Sequence, residues 1–412
     1  MIKSLQLAAM LLAICPAAMA QVEPAATGAS VPIPAGNYSY SVRYAQTAEF
    51  GRSLGNWQNG VFSGSLNYSN GRERFPFSMD YGGGYNFTIA GPSYGQGLFQ
   101  RLEFTQGMTE RKWSLSMHDS VRYSPQAPSL GFTGIPGIGE PVTTPTPNPP
   151  TIDESLLTLN THVVDNAADA ELNRPLNYAW GMNLGGSYNL IRYPDGNGID
   201  SGTAGATGGL RWRLSARNSL LGNYRFSKFT YPRFGFSFYT QSGFFGLERL
   251  WSRSISTSFT VGPQWTSSSN SSLVPSSRGV AANADLLYKL GYNNFSASYA
   301  RGVNSGGGYL IGGETDRVAT NYSRQLGHAA TLGFNISYMR TAGLLNNGVT
   351  NSKYGGAQAT RRLGRHMSLF ANYSLLAQST SSSLPGNVLG QTLQVLGFGI
   401  SYSPRQKEQP TQ

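Results

Sequence analysis

The sequence predicts an all-β chain, a transmembrane antiparallel up-and-down β-barrel of about 18 strands, with 16 as the alternative count. Three observations predict it. Segments of ten or more residues alternate apolar and polar side chains, the length a strand needs to cross a bilayer at a tilt. Tight turns recur at intervals of roughly 36–40 residues, enough for two such strands, one turn and one longer loop. No apolar run after residue 20 reaches the length of a spanning helix, so any crossing of a membrane is made by strands.

The chain opens MIKSLQLAAMLLAICPAAMAQ, with Lys3, an apolar run from Leu5 to Ile14, and Ala18-Met19-Ala20 before Gln21. This is the pattern of a cleaved export signal over residues 1–20, followed by a short periplasmic linker over 21–36. Cys15, the single cysteine, falls inside the signal. The exported part therefore has no thiol chemistry, no disulfide and no lipid anchor.

Barrel strands are expected from 37 to 403, with a tail over 404–412. The first pair reads Asn37 to Phe50 and Val61 to Tyr68. Turns then centre near Gly71, Arg111, Arg174, Leu214, Leu250, Leu290, Leu326 and Leu363. The internal likeness is visible in RLSARNSLLGNYRF from Arg213, QLGHAATLGFNISY from Gln325 and RLGRHMSLFANYSL from Arg362. One interval is longer because it holds the Pro-rich segment Ser124 to Leu159, which prolines keep out of regular structure and which reads as one long loop.

Within SISTSFTVGPQW, Ile255, Thr257, Phe259, Val261, Pro263 and Trp265 make one oily face, opposite Ser254, Ser256, Ser258, Thr260, Gly262 and Gln264. In a barrel the oily set meets lipid and the wet set lines a lumen. Trp113 and Tyr123 bracket one strand, and Trp251 and Trp265 another, which makes these four the candidates for rings at the two membrane interfaces. Asp119, between Met117 and Val121, is the main charged exception on an oily face.

Charged residues are 12% of the chain against about 25% in an ordinary soluble domain, with a formal net charge of +11. The arginines recur singly, without a basic block, a zinc-ligand pattern or a helix-turn-helix, which argues against nucleic acid as a partner. His118, His162, His328 and His366 form no metal motif, and no nucleophile elbow is present, so neither a metal, a cofactor nor an enzyme is expected. The candidate pore-lining residues are Arg101, Glu103, His118, Arg122 and Arg225, all on wet faces. Guanidinium groups in a water-filled pore attract anions; paired with acidic neighbours they only brace the wall.

The last strand, QVLGFGISY from Gln394 to Tyr402, resembles the terminal signal of Gram-negative outer-membrane β-barrels, with Tyr402, Ile400 and Gly397 in the matching places. Val395 stands where that signal has a polar residue, and SPRQKEQPTQ follows Tyr402. The chain as a whole resembles porin-like barrels, and its Leu-Ser-x-Arg-x-Ser-Leu turn resembles that of barrels linked to exopolysaccharide export. This resemblance implies contact with outer-membrane lipid and the assembly machinery, and passive diffusion of small polar solutes or ions, leaning toward anions. Its alternatives are a non-conducting surface or structural barrel whose loops bind a polymer or partner, and a barrel for exopolysaccharide export. Oligomeric state is left open, because strand neighbours are needed to read it.

Overall fold

A computed structural model describes residues 37–404 apart from 52–54, 94–95, 127–160, 270–273, 307–309, 346–347 and 382–391. The expected signal, the linker, the last eight residues and most of the Pro-rich segment lie outside the described residues.

Eighteen strands form one sheet. They are β1(Asn37–Gly51), β2(Gly55–Ser69), β3(Phe77–Ala90), β4(Gly97–Glu110), β5(Trp113–Gln126) and β6(Thr161–Pro175). There follow β7(Trp180–Arg192), β8(Ser201–Arg213), β9(Asn218–Tyr231), β10(Phe236–Leu250), β11(Ile255–Ser268) and β12(Ser277–Leu290). The last six are β13(Asn293–Asn304), β14(Gly313–Leu326), β15(Ala330–Gly343), β16(Val349–Leu363), β17(Met367–Thr380) and β18(Thr392–Tyr402). Each pairs antiparallel with its sequence neighbours, and β1 pairs with both β2 and β18, so the sheet closes on itself. An up-and-down barrel of 18 strands is the observed architecture.

The first and last strands begin and end at the same rim as the turns after β2, β4, β6, β8, β10, β12, β14 and β16. That rim is the periplasmic one, where such barrels carry their short turns. The recurring Leu-Gly pair explains three of these turns. Gly291, Gly327 and Gly364 follow Leu290, Leu326 and Leu363 with φ of 57°, 61° and 79°, a left-handed backbone that side chains with a Cβ resist. Where the turn reads Leu-Ser or Leu-Trp-Ser instead, the serine takes over: Ser215 Oγ accepts from Asn218 N at 3.1 Å, and Ser252 Oγ from Ser254 N at 3.1 Å.

Directly opposed residues in an antiparallel pair share a face, so the register fixes which side chains meet lipid. Phe259 opposes Leu247 and Ala284, and Val261 opposes Phe245 and Ala282, so the oily set of SISTSFTVGPQW points outward. Ile336, on the outward face of β15, is 66% exposed, which only a hydrocarbon surrounding makes reasonable for an isoleucine in mid-strand. Pro263 carries no N–H, and the β10–β11 register skips Gly243, Phe244, Gly262 and Pro263 while the β11–β12 ladder continues through Pro263.

Two strand ends differ from the sequence reading. β2 starts at Gly55 rather than Val61, because GNWQNG lacks an oily alternation yet pairs fully with β1, and its inward Trp57 is buried. β5 runs through Ser124 and Pro125 to Gln126, paired with Val163, His162 and Thr161, so the long loop starts three residues later than its prolines suggested. A lysine at Ile336 meets hydrocarbon, whereas one at the inward Ser337 next to it meets the lumen. Ile336→Lys is expected to cost about 2–4 kcal/mol in urea unfolding from vesicles and Ser337→Lys well under half of that.

Candidate functional site

The inward face is the site, and its charged part is built on β4, β5 and β6. Arg101 opposes Arg122, Thr105 opposes His118, and on the next strand Asp165 opposes Arg122 and Asp169 opposes His118. Arg101 Nε donates to Glu103 Oε1 at 2.9 Å, Arg122 pairs with Asp165 at 3.1 Å, and His118 Nδ1 lies 3.3 Å from Asp169. Ser120, two residues along the same face, donates its hydroxyl to the Ala167 carbonyl at 3.4 Å. No hydroxyl–imidazole relay is therefore formed at His118 among the described residues.

Four of the pore-lining candidates, Arg101, Glu103, His118 and Arg122, thus share one sector of wall and are engaged in pairs. Arg225 stands apart on β9, between Thr207 and Ser242, with its guanidinium 5.5 Å from the Phe244 ring and no carboxylate pair among the described residues. Reading the sequence missed the acidic side of this wall: Asp165, Asp169 and Glu171 all face inward from β6. A signal was present in THVVDNAADAELN, where these acids share odd positions. Its outward set, Val164, Asn166, Ala168, Ala170 and Leu172, is too weakly apolar to mark a lipid face.

Further along the wall Arg211 pairs with Glu248, and Asp285 accepts from Ser258 Oγ at 3.2 Å. Inward charges of both signs line the lumen, and Arg101, Arg122, His118 and Arg211 each have an acidic partner. The protein's positive excess sits elsewhere, at the rims and turns.

At the outer mouth the inner wall turns apolar. Phe229, Tyr231, Phe236, Phe238 and Val274 form a buried cluster against which Ile199, Val303, Ile311, Leu344 and Leu345 pack. Ile199, Val274, Ile311, Leu344 and Leu345 belong to the connections after β7, β11, β13 and β15, so described residues of four outer loops pack over the inward side of β9 and β10. Tyr231 Oη donates to the Ser305 carbonyl at 2.9 Å. Gly312, with φ of 71°, lies so close that a Cβ there would stand 2.8 Å from both Phe238 and Leu344.

Two polar latches hold the neighbouring loop over 193–200. Arg233 donates to the carbonyls of Gly196 and Gly198 at 3.2 and 3.1 Å and reaches Asp200 at 3.4 Å. Asp195 accepts from the main-chain N–H of His162 at 3.0 Å and lies 2.5 Å from its ring. Partial burial pushes the Asp195 carboxyl up, but the His162 hydrogen bonds and charge outweigh this and hold it below its ordinary 3.8.

The four aromatic residues expected at the membrane interfaces lie on the outward side of the barrel. Trp113 and Trp251 lie at the periplasmic ends of β5 and β10, and Tyr123 and Trp265 toward the outer rim. Trp180 and Trp212, not singled out from sequence, stack outward at 5.4 Å on the periplasmic side. In the last strand Ile400 and Tyr402 share the outward face with Leu369 and Met367, while Gly397 opposes Asn372 inward, where a Cβ would collide with the asparagine oxygen.

This is the fold of an 18-stranded outer-membrane barrel. No family model matches the chain, and no curated protein matches it. Among solved structures it is similar to Pseudomonas aeruginosa OccK2 (OpdF), at 10% identity over 90% of this chain and 97% of that one, with a TM-score of 0.47. It is similar also to OccK5 (OpdH) of the same organism, at 13% identity over 90% and 98%, TM-score 0.45. Acinetobacter baumannii OccAB4 stands at 10% identity over 89% and 97%, TM-score 0.45.

Gly312→Val should displace the loops from Phe238 and raise single-channel conductance in a planar bilayer. The Asp195 latch has a pH signature as well. Its depressed carboxyl contributes stability above the ordinary carboxylate value of 3.8 that is lost as pH falls through its lower folded value. Current noise from the outer mouth should rise below about pH 4, and Asp195→Asn should raise it already at neutral pH.

Proposed function

We propose that the protein is a diffusion channel for small polar solutes, with a weak rather than strong charge preference. The observation that carries this reading is the wall itself. Eighteen strands close a sheet whose inward face is polar and charged through mid-membrane, and barrels of about 16–18 strands leave room for an aqueous lumen. The pairing of Arg101 with Glu103 and of Arg122 with Asp165 supports a balanced lumen over the guanidinium ring that arginine positions alone suggested.

Anion preference then rests on Arg225, whose charge no described carboxylate offsets. The apolar cluster at the outer mouth supports a constriction on the β9–β10 side, where a solute slides past the loops that cover Phe238 and Tyr231 before reaching the charged wall. It also favours a second reading, a barrel held shut by its loops. Single-channel recording separates the two, since a closed barrel inserts without steady current.

Reversal potential across a salt gradient tests the charge assignment. Arg225→Ser should move selectivity toward cations with little loss of stability. Arg122→Ser should move it as far or further by baring Asp165, and should cost roughly 1.5–3 kcal/mol in unfolding, the range for a hydrogen bond to a charged group. The Arg122→Ser, Asp165→Ser double variant should return selectivity close to that of the parent. An unchanged reversal potential in all three would overturn the assignment.

A further inference from the structure

Asp119 is not the only charge that the register turns outward. Arg301 on β13 opposes Ala282 of β12, itself opposite the lipid-facing Val261, and the same row continues through Asp316 on β14 and Arg340 on β15. Lys353 on β16 opposes Tyr338 and so faces outward as well. At about 3.3 Å per residue, 4.8 Å between strands and a tilt near 40°, Arg301, Asp316, Arg340 and Lys353 all lie within roughly 4 Å of the level of Trp265. That level is the upper edge of the apolar band. Arg278, opposite Trp265 on β12, adds a cation about 3 Å above it. By contrast, the arginines of β1–β5 are Arg43, Arg101 and Arg122, and each faces inward.

Arg301 is held by carboxylates. Its guanidinium reaches Glu314 at 2.6 Å and Asp316 at 3.4 Å, and Tyr299 Oη donates to Asp316 Oδ1 at 3.0 Å. Arg340 and Lys353 are exposed and form no ion pair among the described residues, although Asp316 stands directly opposite Arg340. Their Cα atoms sit on a diagonal of adjacent strands, about 8 Å apart, and Arg340 is two strands, roughly 10 Å, from Arg301. Both free cations can therefore converge on one anion. Beneath them the wall is apolar. Val318, Ile336 and Leu375 are exposed there, and a Cβ at Gly355, between Ile336 and Leu375 in one row, would meet nothing within 4 Å.

We propose that Arg340 and Lys353, with Arg301 beside them, hold a phosphate of the outer-leaflet lipid, the phosphorylated lipid A part of lipopolysaccharide. Position and charge together select this occupant. A cation on the outward side at the aromatic ring touches lipid rather than solute, and an outer-leaflet lipid there sets its phosphates at that level with its acyl chains below. Guanidinium and ammonium groups take phosphate oxygens by charge-assisted hydrogen bonds. Glu314 and Asp316 occupy Arg301, which leaves the other two cations for the lipid. Val318, Ile336 and Leu375 then meet the acyl chains, and Gly355 leaves room for one of them.

Titration of the folded protein in detergent micelles with fluorescent lipid A tests this. Arg340→Gln combined with Lys353→Gln should weaken binding about ten-fold, as loss of hydrogen bonds to a charged group does. Lys228, an exposed outward cation on β9 between Ala204 and Tyr239, lies at the Trp265 level outside the cluster. Lys228→Gln should therefore change binding less than about two-fold. With the unaltered protein, lipid A stripped of its phosphates should bind at least about ten-fold more weakly than the phosphorylated form, a comparison that needs no variant to fold. Equal losses in Lys228→Gln and the double variant, undiminished binding of the dephosphorylated lipid, or full competition by millimolar inorganic phosphate would overturn the proposal, the last by assigning the cluster to a free anion.

Discussion

Everything in this molecule follows from the closure of one hydrogen-bond ladder. In hydrocarbon an unpaired N–H or C=O costs several kcal/mol, so a sheet in a membrane cannot keep an edge. The pairing of Asn37–Gly51 with Thr392–Tyr402 removes the last one. Because the seam joins the two ends of the barrel, no part of it is independent of the rest. The Leu-Gly turns serve that closure, reversing the chain in two or three residues so that the next strand starts in register.

Closure sorts side chains into two solvents. Outward positions carry Leu, Phe, Ile and Tyr; inward ones carry Ser, Thr, Asn and the charged pairs. Inside, water lowers the cost of charge and partners such as Asp165 and Glu103 neutralise the arginines, so the wall is charged without a strong net field. Outside, a charge has neither water nor counter-ion, and the one at Asp119 accepts a hydrogen bond from the Asn166 amide beside it.

The outer mouth obeys a different rule. Phe238, Phe236 and Tyr231 point inward, where water would be their solvent, and apolar loop residues from four connections cover them instead. Burial of those rings is what pulls the loops over the opening. The same residues that would be a liability in an open lumen thus hold loop residues against the β9–β10 side of the mouth.

The periodicity of two, the turns at Gly71 through Leu363 and the length of the strands were legible because each is a local property of consecutive residues, and together they determined the barrel, a strand number of 16 to 18 and the lipid face of Ile255 to Trp265. Weakly patterned strands hid themselves: GNWQNG is a strand only because Asn37–Gly51 offers it a full ladder, and the β6 acids were unreadable without a lipid face to oppose them. What only the tertiary structure decided are the relations across strands. Arg122 lies 43 positions from Asp165, Phe238 far along the chain from Leu344, and Asp119 one strand from Ala168 and two from Tyr188. A sequence fixes which face a residue takes, since that depends on its own strand; its neighbour on that face is fixed by the register of the closed sheet.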